Sequence, residues 1–241
     1  MSDIYSRWRD VDCIRGFANK GAEDFFKSET VFIDSMAHDA HSVLDIGCAS
    51  GRMIELLSQK FQDLSYTGVD IVEENIRLAR ENYPDFAFHC TNALEFENTD
   101  TFDLVNATGV MQHEVKFEEL INRMINWSNK YVLFDVKLAN VDEHVVDIER
   151  SYCGKEHRLN YNLFCLPKFL EYLHGCKGLS KISLFGYETG LNNRTVVPPN
   201  VSYILSAGFL LELGDLNGGK IEVDSQLPIS AQDRLSANSI S

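Results

Sequence analysis

The sequence predicts an α/β fold with a largely parallel sheet and helices on both of its faces. Three observations carry that prediction. Short apolar runs recur at 42–46, 66–70, 86–90, 102–106 and 131–136, each of strand length. Segments with apolar residues at helical spacing separate most of them, and this alternation implies parallel strands joined by crossover helices. The first run, Val43-Leu44-Asp45-Ile46, leads into Gly47-Cys48-Ala49-Ser50-Gly51, a glycine turn that opens a helix. Such a turn lets backbone come close to a ligand, and a helix N-terminus points N–H groups outward.

Taken in order, residues 1–40 precede the first core strand, and Glu23 to Met36 carries apolar residues at helical spacing. Strand 42–46 is followed by a helix over about 51–60, strand 66–70 by a helix over about 72–82 that Pro84 ends. Strand 86–90 and strand 102–106 come next, then a helix from about Lys116 and strand 131–136. Residues 138–164 are polar and rich in His, Arg, Asn and Tyr. A long insertion of this kind in a compact domain reads as a functional loop or cap. Pro167 sits at the start of a helix over 168–174. Ile182–Tyr187 and Val201–Ser206 read as the last two strands. Phe209–Val223, with Asn217-Gly218-Gly219 at its turn, reads as an extra hairpin. From Asp224 onward the chain is polar, and a mobile tail is expected.

The 241 residues suit one α/β domain with additions, and 44% hydrophobic residues support a sizeable core. A net charge of −14 with no basic run argues against nucleic acid and against an anionic membrane surface. The N-terminus lacks the apolar core of a signal peptide and no run of membrane-spanning length occurs, so a cytoplasmic protein is expected. Six scattered cysteines without a C-x-x-C pair read as free thiols. Cys153, His157, Cys165, His174 and Cys176 gather in one region, yet their spacing matches no standard ligand pattern, and no metal is expected.

The segment VLDIGCASG, followed by YTGVDI, resembles the class I S-adenosylmethionine-dependent methyltransferases, whose first motif runs E/D-x-G-x-G-x-G. Asp45, Gly47, Ala49 and Gly51 fall in register with it, Ala49 standing where the family has its middle glycine. The resemblance covers about residues 40–136. It implies a Rossmann-like sheet of seven strands, mostly parallel, the last antiparallel. It also implies a helical lid over 1–40, a methyltransferase domain over 41–223 with its cap at 138–164, and a tail over 224–241. A nicotinamide-binding fold is the rival; its G-x-G-x-x-G pattern would need glycine where this chain has Ala49 and Arg52.

S-adenosyl-L-methionine is then the expected cofactor. Gly47, Cys48, Ala49 and Gly51 would face its amino-acid end, and Asp45 would accept from its ammonium, directly or through water. Asp70 would take the ribose hydroxyls, as an acid at the end of the second strand can, with Ile71 packed on the adenine. Asn92, where the family commonly has an acid, would accept from the adenine amino group, with Ala93 beside it and Ala107 at the end of the fourth strand; an Asx-turn is the plainer role for Asn92.

In the loop 107–114, a histidine at the position of His113 is frequent in the family. It would serve as base for a hydroxyl acceptor; the plainer role is a hydrogen bond to backbone. Gln112, Trp8, Arg158 and Tyr161 are the candidate acceptor-binding residues, with Tyr5, Arg9 and Arg15 as further lid candidates and Lys137 a lesser one. An arginine would suit a carboxylate or phosphate on the acceptor. The expected activity is methyl transfer to a small molecule, a saccharide or secondary metabolite, at oxygen. A catalytically silent cofactor-binding regulator or scaffold of the same fold is the alternative.

Overall fold

The computed structural model describes residue 8 and residues 25–36, 39–154, 157–190, 194–215 and 220–236. The chain divides into two compact units, one of residues 1–108 with 118–133, the other of residues 109–117 with 134–241.

The first unit opens with helix α1 (Lys27–Met36), which buries Phe32, Ile33 and Met36. Strand β1 (Ser42–Ile46) follows, four of its five residues buried. Helix α2 (Met53–Lys60) turns Met53, Ile54, Leu56 and Leu57 inward, the apolar stripe its spacing announced. Strand β2 (Ser65–Asp70), helix α3 (Glu73–Asn82) and strand β3 (Ala87–Cys90) complete a second crossover. Strand β4 (Phe102–Ala107) is buried over most of its length, as a central parallel strand must be. Helix α4 is Phe117–Trp127 and strand β5 is Ser128–Ala139, whose first half belongs here and second half to the other unit. Strand β1 pairs in parallel with β2 and with β4, and β2 with β3. Gly68 lies where β2 passes under the first turn. A Cβ there would come within 2.7 Å of the Cys48 sulfur and 2.8 Å of the Phe88 ring.

The second unit holds short strands β6 (Tyr152–Cys153) and β7 (Leu159–Asn160), helix α5 (Leu166–Gly175), strand β8 (Leu179–Glu188), short strand β9 (Thr195–Val196) and strand β10 (Ile204–Leu213). Strand β11 (Glu222–Gln226) and helix α6 (Ile229–Ser236) end it. Phe134 stacks on Phe209 at 5.6 Å between ring centres, and Phe169 meets Phe209 edge-on at 5.2 Å, forming an aromatic core. Strands β10 and β8 are antiparallel, while β11 adds to β8 in parallel. Strands β7, β6 and β9 form a small antiparallel sheet.

The hydrogen-bonded order of the main sheet is β11-β8-β10-β5-β4-β1-β2-β3. It is the expected Rossmann-like layering with one correction: eight strands rather than seven. The eighth is β11, and its presence overturns two further expectations. Residues 209–223 do not make a hairpin, because β10 runs on to Leu213 and β11 pairs with β8, not with β10. The segment after Asp224 does not start as a tail. Ala231 and Leu235, one helical turn apart, are buried, and Arg234 lies over the Tyr203 ring. Two small apolar contacts per helix are too weak a pattern to read from a polar sequence. The predicted turn at 217–219 and the lid candidates Tyr5, Arg9 and Arg15 lie outside the described residues.

The insertion at 138–164 is less polar inside than its composition suggests. Ala139, Val141, Val145 and Leu163 are buried with Cys165 and Ile204, and Tyr161 packs against that cluster. Among the described residues no helix is long and apolar enough to cross a membrane.

Candidate functional site

The predicted residues fall into two groups, one in each unit. In the first unit the turn after β1 is built by three residues with left-handed backbone: Gly47 (φ 73), Ala49 (φ 49) and Gly51 (φ 90). Gly51 could not be otherwise, since a Cβ would sit 2.8 Å from the Tyr83 ring. Ala49 occupies a conformation that costs an L-residue about 1–2 kcal/mol. What holds it there is Asp70, whose Oδ2 accepts the Ala49 N–H at 2.9 Å. The other oxygen accepts the Val72 N–H at 2.8 Å. Burial raises the Asp70 carboxyl above its ordinary value, opposed by these hydrogen bonds.

The turn spends its N–H groups inside the protein. Those of Gly47 and Cys48 donate to the Val69 carbonyl at 2.7 and 3.2 Å, and that of Gly51 to the Cys48 carbonyl at 3.0 Å. The expectation that this turn points its N–H groups outward is therefore corrected for residues 47, 48, 49 and 51. The first N–H groups of α2 are partly spent as well, that of Ile54 on the Gly51 carbonyl at 3.0 Å and that of Glu55 on the Arg52 carbonyl at 3.3 Å. The Cys48 side chain is 3% exposed and faces Gly68, so only its main chain borders the turn.

Asp45 is likewise turned inward at 3% exposure. Its Oδ2 accepts the Tyr66 hydroxyl at 2.5 Å and its Oδ1 the Asn106 amide at 2.7 Å. Burial pushes its carboxyl up from 3.8 to about 6. The side chain thus offers almost no surface for direct contact with an ammonium. Asn106 also donates to the Thr108 hydroxyl at 3.2 Å, which donates to Glu29 at 2.6 Å. Glu29, fully buried on α1, meets Arg52 at 3.3 Å, and Arg52 lies over the Phe25 ring at 4.4 Å. Two polar atoms of this network, Asn106 Oδ1 and Arg52 Nη1, are buried and unpartnered among the described residues. An orphaned buried acceptor and an orphaned buried donor beside the turn suit a zwitterionic amino-acid moiety, which supplies both counterparts.

Thr91, at the end of β3, donates its N–H to the Asp70 carbonyl at 3.0 Å, which brings the ends of β2 and β3 together. Asn92 Oδ1 accepts the Leu94 N–H at 2.9 Å, forming the Asx-turn. Ile71 and Ala93 are half-buried, while Ala107 is fully buried.

In the second unit, Asp135 at the middle of β5 accepts the Gly109 N–H and pins the start of the loop. His113 Nδ1 lies 2.6 Å from the Asn160 carbonyl, and its Nε2 lies 3.1 Å from the Gln112 amide nitrogen. Arg158 is exposed, stacked on the Tyr152 ring at 4.2 Å and 3.7 Å from Glu149. Tyr161 is held by backbone bonds with Ser151, and burial pushes its hydroxyl up. Lys137 donates to Ser206 at 2.7 Å, and burial lowers its ammonium. Trp8, in the first unit, is half-buried.

Sequence reasoning missed Glu29, Tyr66, Asn106, Thr108, Asp135 and Asn162. Asn106 and Asp135 carried a usable signal: each is the first polar residue after an apolar strand run. The others carried none, since their roles depend on partners far along the chain.

Fold and turn together define a nucleotide-type α/β binding unit. Residues 43–130 match the family model described as a methyltransferase domain. A putative methyltransferase of Invertebrate iridescent virus 6 is 24% identical over 77% of this chain and 68% of its own length. A trans-aconitate 2-methyltransferase of Delftia acidovorans is 25% identical over 56% of this chain, which spans about half (47%) of that enzyme. The N-methyltransferase NodS of Bradyrhizobium japonicum, solved with S-adenosyl-L-homocysteine, superimposes with a TM-score of 0.57. It is 12% identical, over 88% of this chain and 97% of that one, a likeness of fold. These likenesses support a methyltransferase domain of the class I S-adenosylmethionine-dependent kind at residues 43–130.

Proposed function

We propose that this protein transfers a methyl group from S-adenosyl-L-methionine to a hydroxyl of a small-molecule acceptor, in the cytosol. The observation that carries the reading is the bond from Ala49 N–H to Asp70, which ties the first motif's turn to the acid at the end of the second strand. Asp70 is also reached by the Asn75 side chain and the Ile71 N–H, so a ribose hydroxyl would share its two oxygens with these donors. Ile71 covers one face of the adenine, and Asn92 with Ala93 borders its amino group. The orphaned Asn106 Oδ1 and Arg52 Nη1 suit the ammonium and carboxylate of the methionyl end, so Asp45 acts through Asn106 rather than by direct contact.

When bound, the cofactor supplies a methyl group already activated on a sulfonium. The protein's part is to position, to exclude water and to take a proton. A carbonyl oxygen has no proton to give, so the bond to Asn160 requires Nδ1–H on His113; its Nε2, which here accepts from the Gln112 amide at 3.1 Å, would act as the base once the acceptor hydroxyl replaces that donor. Gln112, Arg158 and Tyr161 of the second unit are the acceptor-binding candidates in this reading, and Trp8 is a separate candidate on the first. Small-molecule acceptors also name several relatives, trans-aconitate among them. The buried thiols of Cys48 and Cys165 carry no disulfide, which suits a reducing compartment.

Titration calorimetry with S-adenosyl-L-methionine and S-adenosyl-L-homocysteine tests the core of this reading. Binding of both is expected; no heat at millimolar concentration rejects it. Binding without turnover across a broad acceptor panel would favour a regulatory role.

A further inference from the structure

The loop that carries His113 is held by one side chain from the insertion. Asn162 is fully buried. Its amide nitrogen donates to the carbonyls of Met111 at 3.0 Å and Glu114 at 2.8 Å. Its backbone N–H donates to the carbonyl of Gln112 at 2.7 Å. Three of the four carbonyls from 111 to 114 thus end on a single residue, and both protons of its amide are used.

Two positions earlier in the chain is the carbonyl that receives the His113 Nδ1 proton, that of Asn160. The Asn160 amide in turn reaches Asn162 Oδ1 at 3.4 Å. One residue separates the group that clamps the loop from the group that fixes the ring. With Nδ1 protonated, the Gln112 amide nitrogen can only donate to Nε2, which orients that amide as well. Its oxygen, Gln112 Oε1, is left buried and unpartnered among the described residues.

We propose that Asn162 is a positioning residue that sets the tautomer and orientation of the His113 ring. The inference rests on the reading of His113 as the base, but it concerns the ring alone and needs no acceptor. The tautomer of a histidine is set by the bond its other nitrogen makes. That bond is short here because two strands of contact fix the distance between loop 111–114 and residue 160. Loosening Asn162 lets the ring leave the carbonyl, and imidazole in water prefers the Nε2–H form.

Ring nitrogen chemical shifts in the full-length protein labelled with 15N-histidine give the test, assigned by comparison with His113→Gln. The wild type is expected as Nδ1–H. Asn162→Ala and Asn162→Ser are expected to move His113 towards Nε2–H while S-adenosyl-L-homocysteine binds within about twofold of wild type. Should the buried substitutions fail to fold, Asn160→Ala, at a half-buried position, removes the bond to Asn162 Oδ1 and is expected to move the ring in the same direction. A wild type found as Nε2–H, or folded variants that keep the wild-type tautomer, overturns the proposal. Loss of S-adenosyl-L-homocysteine binding by the wild type would instead remove the methyltransferase reading, and the tautomer result would stand apart from it.

Discussion

Asp70 Oδ2 accepts the N–H of Ala49 at 2.9 Å, so the acid proposed to hold the ribose also holds the turn beneath the methionyl group. In the proposed reading, one carboxylate organises two parts of the binding surface. Removing it takes away a charge-assisted acceptor, each such bond contributing about 1.5–3 kcal/mol. Asp70→Ala is expected to raise the dissociation constant for S-adenosyl-L-homocysteine by about 10- to 100-fold. Calorimetry that found the affinity unchanged would reject the ribose assignment.

Asp45 makes stability depend on pH. Burial lifts its carboxyl from 3.8 to about 6, so between those values the folded protein holds a proton that the unfolded chain has released. The contribution of this group to stability therefore falls as pH rises from about 4 to 6, by about 3 kcal/mol in total, and is fully lost above. Asp45→Asn has nothing to titrate. The difference between urea-unfolding free energies of wild type and variant, measured from pH 4 to 8, should carry that slope; a flat difference contradicts it.

Ala49→Gly is expected to stabilise. The position has φ 49, and glycine relieves the left-handed penalty at the cost of a more flexible unfolded chain. The two effects oppose each other, leaving a net gain of about 0.5–1 kcal/mol. Thermal unfolding should show a raised midpoint with cofactor affinity preserved.

Glu29 and Arg52 form an ion pair that is buried on one side and nearly so on the other, with side-chain exposures of 0% and 17%. Removing one member leaves the other charge uncompensated, which costs about 3–5 kcal/mol. Glu29→Ala should lower stability by about that amount and speed amide exchange within 27–36. Exchange there at the wild-type rate would show that α1 is held by its apolar face alone.

His113→Gln is expected to leave S-adenosyl-L-homocysteine binding intact and to slow transfer to a hydroxyl acceptor by about 10²- to 10⁴-fold, the usual worth of a positioned base. Equal turnover by variant and wild type would assign His113 a purely structural role.

Much of the layered architecture was legible because strand and helix periods differ and each buried face repeats along the chain. The runs around Leu44, Val69, Leu104 and Leu133 announced four central strands, and Gly47 to Gly51 announced the turn. Strand β11 was not legible. All five of its residues are exposed, so it lacks the alternation that marks a strand, and only the neighbouring edge of β8 makes it one. The site divided in the same way. Asp45 and Asp70 were singled out from their positions in and after apolar runs, but which way each carboxylate faces was not legible.

By itself the sequence determined where β1 to β4 end, because apolar runs stop at polar residues there, and it determined that a sharp turn follows β1, because left-handed backbone calls for glycine; β5 and β10 run past the polar residues that were read as their ends. Tertiary structure alone decided the partners. Tyr66 and Asn106 close on Asp45, Thr108 reaches Glu29 across 79 positions, and Asn162 clamps a loop some 50 residues before it. A buried polar group must find its counterpart somewhere in the folded chain, and the geometry of packing, not the spacing of residues, selects which one.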